Sequence, residues 1–159
     1  MAKIIDLFTC PDKGLPMELV AAVRAIAGVG LENDRYALGT GAYSGSRPQK
    51  IRHVSIMAIE GLDLGNRQSD TTLAPIDTRR NVFIRGLDPD ALLALIGRRF
   101  DIGEVQFRGA CDCKPCERPA MLAKKKSNFG TWPLALTGIR AEILSDGIIR
   151  LCDELVLVD

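Results

Sequence analysis

"NVFIRGLDPDALLALIGRRF", residues 81–100, changes its period halfway along. Asn81–Gly86 is a β-branched and aromatic run closed by glycine, the mark of a short strand. From Asp88 the pattern turns helical: Asp88 stands as N-cap, Pro89 occupies the first helical position, and Leu92, Leu93 and Ile96 share one face before Gly97. This helix is expected to pack on a sheet. Strand signatures recur outward from here in "KIIDLFTC" (3–10), "HVSIMAI" (53–59), "EVQFRG" (104–109) and "ELVLVD" (154–159). The segment "MELVAAVRAIAG" (17–28) is rich in alanine, which favours helix, but Met17, Leu19, Ala21, Val23 and Ala25 alternate, and it is read as strand. The sum is a mostly β chain with a few helices, built as a barrel or sandwich.

The bounds are those of an ordinary soluble domain. At 159 residues and 17.3 kDa the chain can bury a real core, and without repeats or linkers it reads as a single domain over 1–159. Lys+Arg 21 against Asp+Glu 20 leaves a net charge of +1, too small a field to draw nucleic acid or an anionic membrane indiscriminately. No apolar run has the length of a membrane span or a secretory signal, so a cytoplasmic protein is expected. In that reducing compartment the five cysteines point away from disulfides.

Three of those cysteines, Cys111, Cys113 and Cys116, crowd into "GACDCKPCERP" (109–119). A structural metal site, a redox or sulfur-carrying thiol, and a thiolate ligand to a catalytic metal all fit the cluster. Structural zinc requires four ligands and usually a second cysteine pair, which the chain lacks. Cys113 is read as a resolving partner of Cys116 or as a mere neighbour. His53 reads as a strand residue without a role, and Lys124–Lys126 as a solvated loop.

Four stretches in order, "KGLPM" (13–17), "GVGLENDRY" (28–36), "DTRRNVFIRGLD" (77–88) and "CKPC" (113–116), followed by "GIRAEILSDGIIRLCDEL" (138–155), resemble the MOSC domain, named for the C-terminal part of molybdenum cofactor sulfurase. The resemblance implies a β-barrel of the pyruvate-kinase-barrel-like type in which the cysteine after a proline, Cys116, is the reactive thiol. It departs from many relatives at Glu117-Arg118-Pro119, where they carry His-Leu, at Thr137-Gly138, where they carry two glycines, and at Cys152-Asp153, where they carry Gly-Asp.

Two roles follow for Cys116. By resemblance to amidoxime-reducing components it would ligate molybdenum carried on molybdopterin and serve two-electron reduction of N-hydroxylated small molecules, with electrons from a separate electron-transfer protein. Alternatively it would carry a persulfide supplied by a cysteine desulfurase, or the domain would be a non-catalytic binding module. A thiolate suits molybdenum, and neighbouring positive charge favours its ionisation. For the cofactor's phosphate and pterin, "TRRN" offers donors: as a strand it would place Arg79 and Asn81 on one face and Arg80 on the other. Arg35, with Asp34 bracing its loop, and Lys13 complete the expected anion pocket. Exposed strand arginines and ordinary ion pairs are the plainer alternatives.

Overall fold

The apolar runs do become strands. The computed structural model describes residues 1–69, 72–114 and 134–158. In chain order the strands are β1 (Lys3–Thr9), β2 (Glu18–Leu19), β3 (Ala22–Ile26), β4 (Gly30–Leu31), β5 (Val54–Ala58), β6 (Val82–Arg85), β7 (Arg99–Ile102), β8 (Val105–Cys113), β9 (Gly138–Ile143), β10 (Gly147–Arg150) and β11 (Leu155–Leu157). The helices are α1 (Arg35–Leu38), α2 (Ile59–Gln68) and α3 (Pro89–Leu93), with 3-10 turns at Pro75–Thr78 and Leu134–Leu136. No helix among the described residues is long and apolar enough to cross a membrane.

Eight strands form one sheet in the order β11-β7-β8-β9-β5-β6-β1-β2, and β10-β3-β4 form a second. The larger sheet is not closed by a ladder, but the start of β1 comes against the segment that leads into β11. Among the described residues a bridge and a 3.8 Å ion pair between Lys3 and Glu154, with the backbone bonds Ile4 N–H to Asp153 O (3.0 Å), Cys152 N–H to Ile4 O (2.9 Å) and Leu155 N–H to Ala2 O (2.9 Å), join the two sides. The fold is therefore mostly β and barrel-like, with an interrupted seam.

Strands β5 and β6 run parallel, joined through α2, and are buried on both faces. Alternation sends Ile56, Ala58, Val82 and Ile84 into the main core with Phe100, Phe107 and Ile139. Their neighbours Met57 and Phe83 face the other way, into a smaller core with Phe8, Ile59 and Leu62. Inside the main core the rings of Phe100 and Phe107 stack at 5.6 Å, an arrangement contributing about 1 kcal/mol beyond the area they bury.

The expected strand-to-helix change is present but shorter. Asp88 caps α3, its Oδ1 accepting the Ala91 N–H at 2.8 Å, and the helix stops at Leu93 so that Arg99 and Phe100 already belong to β7. "MELVAAVRAIAG" is indeed extended, in β2 and β3. Ile59, read as the end of a strand, instead begins α2. The strand reading of "TRRN" fails as well: Thr78 ends a 3-10 turn, Arg79 lies in the left-handed region at φ +60°, and β6 starts only at Val82.

One irregularity positions the cysteines. In the β8–β9 ladder Gly109 faces Ala141 but Cys111, not Ala110, faces Arg140, so Ala110 is a bulge residue. Before the bulge Phe107 shares the core side with Ile143; after it, Cys111 stands beside Arg140 and Cys113 beside Gly138. Arg140 in turn pairs with Ser55, so the two cysteines are turned to the side of the sheet opposite the main core.

Candidate anion and cofactor site

On that outer side, where the ends of β5, β6, β8 and β9 converge, a cavity of about 310 Å³ opens. Its walls carry seven cationic side chains and, among the described residues, a single acid, Asp112. Arg35 and Lys13 come from α1 and the β1–β2 loop, Arg79 and Arg80 from the turn before β6, and Arg52, Arg140 and Lys114 from the ends of β5, β9 and β8.

The floor is a buried polar knot. Asp34 Oδ1 accepts from the Cys10 N–H (3.1 Å), from Arg35 Nη1 (3.1 Å) and from Asn81 Nδ2 (3.3 Å). Burial pushes the Asp34 carboxyl above its ordinary pKa, against the pull of Arg35 and these hydrogen bonds. Arg35 also donates to Arg79 O at 3.0 Å, which fixes the peptide carrying the next two arginines. Asn81 is only 2% exposed and its amide is fully engaged, Oδ1 accepting from Ser55 N–H and Ser55 Oγ (both 3.0 Å) and Nδ2 donating to Phe8 O (3.1 Å) and Asp34. Asn81 therefore braces the site and does not offer donors to a pterin.

Arg79 donates through Nη1 to Leu15 O (2.9 Å) and through Nη2 to Lys13 O (3.1 Å), tying down the β1–β2 loop. Arg80 reaches the opposite wall and donates to Cys113 O (3.1 Å) and Lys114 O (3.3 Å). Both arginines line the cavity, contrary to the alternation expected from a strand. Lys13 and Arg35 also line this cavity. Cys113 is buried and lines the cavity; Cys116, and the lysine run 124–126, lie outside the described residues. Cys10, Cys111, Cys113 and Cys152 are free thiols, and among the described residues no three His, Cys, Asp or Glu side chains gather as a metal site.

The charge in this cavity is poorly balanced. Arg35 has its partner in Asp34, but Arg52, Arg80, Lys114 and Arg140 make no ion pair among the described residues. Arg80 Nε and Arg52 Nη1 are buried without a hydrogen-bond partner among the described residues. Buried donors are nearly always satisfied, so two orphaned guanidinium nitrogens beside a cavity point to an anionic occupant. A phosphate and a heterocycle edge fit this donor set.

Sequence reasoning missed Arg52, Arg140, Ser55, Tyr36 and Tyr43. Arg140 alternates with Ile139 and Ala141 in "GIRAEI", an outward charge on a core strand, but only the fold shows that this outward side is a cavity wall.

The family model described as MOSC domain matches residues 45–156. The chain belongs to the MOSC domain family. Solved structures agree on the fold of this MOSC protein. It matches the YuaD protein from Bacillus subtilis at TM-score 0.75 and 19% identity, covering 99% of this chain and 96% of that one. YiiM from Geobacillus stearothermophilus matches at TM-score 0.70 and 15% identity, over 100% of this chain and 76% of that one. YiiM from Escherichia coli matches at TM-score 0.63 and 15% identity, over 99% and 70%. No curated protein matches the MOSC chain in sequence.

Proposed function

We propose that this MOSC protein binds a molybdenum–pterin cofactor in the cation-lined cavity, with the Cys116 thiolate as the protein ligand to the metal, and reduces N-hydroxylated small molecules. The observation that carries the reading is that Arg52, Arg80, Lys114 and Arg140 line the cavity without an ion pair among the described residues, above all the buried Nε of Arg80, which has no hydrogen-bond partner among them. When bound, the cofactor supplies two-electron oxo transfer. The overall change is a hydroxylamine plus two electrons and two protons going to an amine and water, the electrons coming from a separate redox protein.

The chain's own residues bind and position. Lys13, Arg35 and Arg79 would hold the phosphate from the side of the β1–β2 loop, with the Arg35 guanidinium fixed by its 3.1 Å contact to Asp34. Arg80 grips the carbonyls of Cys113 and Lys114, fixing the end of β8 three residues before Cys116.

The decisive experiment is molybdenum, pterin and labile-sulfur analysis of protein purified from its own host. Molybdenum and pterin in comparable amounts are expected, and Cys116→Ser should lose the metal while its far-UV spectrum stays unchanged. Persulfide sulfur without molybdenum would replace this reading by sulfur carriage, and a fully loaded serine variant would remove Cys116 from the site. Because both arginines line the cavity, Arg79→Ala and Arg80→Ala should each reduce cofactor retention about tenfold, the loss of one charge-assisted hydrogen bond.

A further inference from the structure

Beside the main cavity lies a second, of about 200 Å³, separated from it by Tyr36 and Arg52, which line both. Its remaining wall includes Lys50, His53, Gln49 and Ser44, and no acid among the described residues. Arg52 stacks on two rings, its guanidinium 4.7 Å from the centroid of Tyr43 and 5.9 Å from that of Tyr36. Stacking fixes the plane of the guanidinium and leaves its edge for hydrogen bonding. One nitrogen on that edge, Nη1, is buried and has no hydrogen-bond partner among the described residues. His53 Nδ1 accepts the Ile143 N–H at 3.0 Å, so in the neutral ring the proton sits on Nε2 and the free nitrogen is a donor. The loop that supplies the wall is tied to itself: Gln49 Nε2 donates to Ser44 O (2.9 Å) and Gly41 N–H to Ser44 Oγ (2.8 Å). A wall of donors, one of them orphaned and immobilised, is built for an oxyanion.

We infer that the second cavity is a subsite for a phosphate or carboxylate group, contacted by Lys50, Arg52 and His53, on a molecule whose other end enters the main cavity. The substrate of this protein is then an organic anion. This last step rests on the proposed reduction, but the subsite itself does not.

The test uses the protein freed of any metal. Inorganic phosphate and acetate are titrated separately while the backbone amides are followed by 1H–15N NMR. Saturable shifts at Lys50, Arg52 and His53 are expected, with the tighter of the two ions naming the group. Lys50→Gln should weaken that response about tenfold, while Arg80→Gln should weaken only the response of Lys114 and Cys113 in the main cavity. A response confined to the main cavity, or a Lys50→Gln isotherm identical to the parent, overturns the subsite whatever the metal content proves to be. Phosphate binding in protein that never carries molybdenum would leave the subsite standing and remove the proposed reduction instead.

Discussion

Arg79 sits at φ +60°, a conformation that costs a residue with a Cβ about 1–2 kcal/mol. What holds it there is its own side chain, bonded to the carbonyls of Leu15 and Lys13, together with its carbonyl, which accepts from Arg35. The arginine thus trades backbone strain for a loop fastened over the site. Arg79→Ala keeps the strain and loses the bonds; Arg79→Gly loses the same bonds and relieves the strain. Both variants should unfold more easily than the parent in urea, with Arg79→Gly the more stable of the two by about 1 kcal/mol. Equal stabilities would show that the left-handed turn is not retained without the side chain. The same residue marks a limit of reading sequence. "TRRN" looks like a strand because "NVFIRG" follows it, and nothing in the letters shows that the chain first makes a 3-10 turn and a left-handed step.

Helix α2 carries Gly61 and Gly65 one turn apart, and the 3-10 turn Leu134–Leu136 packs into the gap they leave. A Cβ at Gly61 would run into the Ala135 carbonyl oxygen, and one at Gly65 would come within 2.5 Å of the Leu136 side chain. Glycine-to-alanine changes inside helices normally stabilise by about 1 kcal/mol. Here the sign should reverse: Gly61→Ala is expected to lower the unfolding free energy by about 1–2 kcal/mol, and Gly65→Ala less, because a leucine side chain yields where a backbone carbonyl does not. Urea denaturation of the two variants checks the order. These glycines also hid α2 from the sequence, since helix-breaking residues after "HVSIMAI" suggest a strand ending in a turn. Strands β1, β6, β8 and β11 were legible because their apolar residues alternate or run together, and α3 because its cap and first-turn proline are local signals. The cation cavity was legible only in part: Lys13, Arg35 and Arg79 stand in recognisable motifs, whereas Arg52 and Arg140 become neighbours through strand pairing.

The whole molecule has one histidine, and it should leave a mark on acid stability. Burial holds the pKa of His53 below its ordinary 6.5, against a smaller upward pull from Glu142. A depressed value means that, as pH falls below 6.5, the unfolded chain takes up a proton that the folded chain refuses. The stability contributed by neutral His53 is therefore complete above pH 6.5 and is lost as pH falls through the lower folded value. Protonation would also cost the acceptor that Nδ1 offers to the Ile143 N–H. The melting temperature should drop between pH 7.5 and 5.5, and His53→Gln should flatten that drop. An identical slope in the variant would assign the acid sensitivity to carboxylates alone.

The Ala110 bulge has a consequence for how this site can vary. Strand β8 enters the ladder in one phase and leaves it in the other, so the frame that suits Val105 and Phe107 is not the frame that suits Cys111 and Cys113. Ala110 is the spacer between the two frames. Shortening the chain by that residue keeps every later pairing with β9, whereas removing Asp112 would swing Cys113 round to the opposite side of the sheet. The barrel wall and the thiol-bearing end of the strand are thus two sentences spliced at one letter, and length changes at the splice are silent while those beyond it are not.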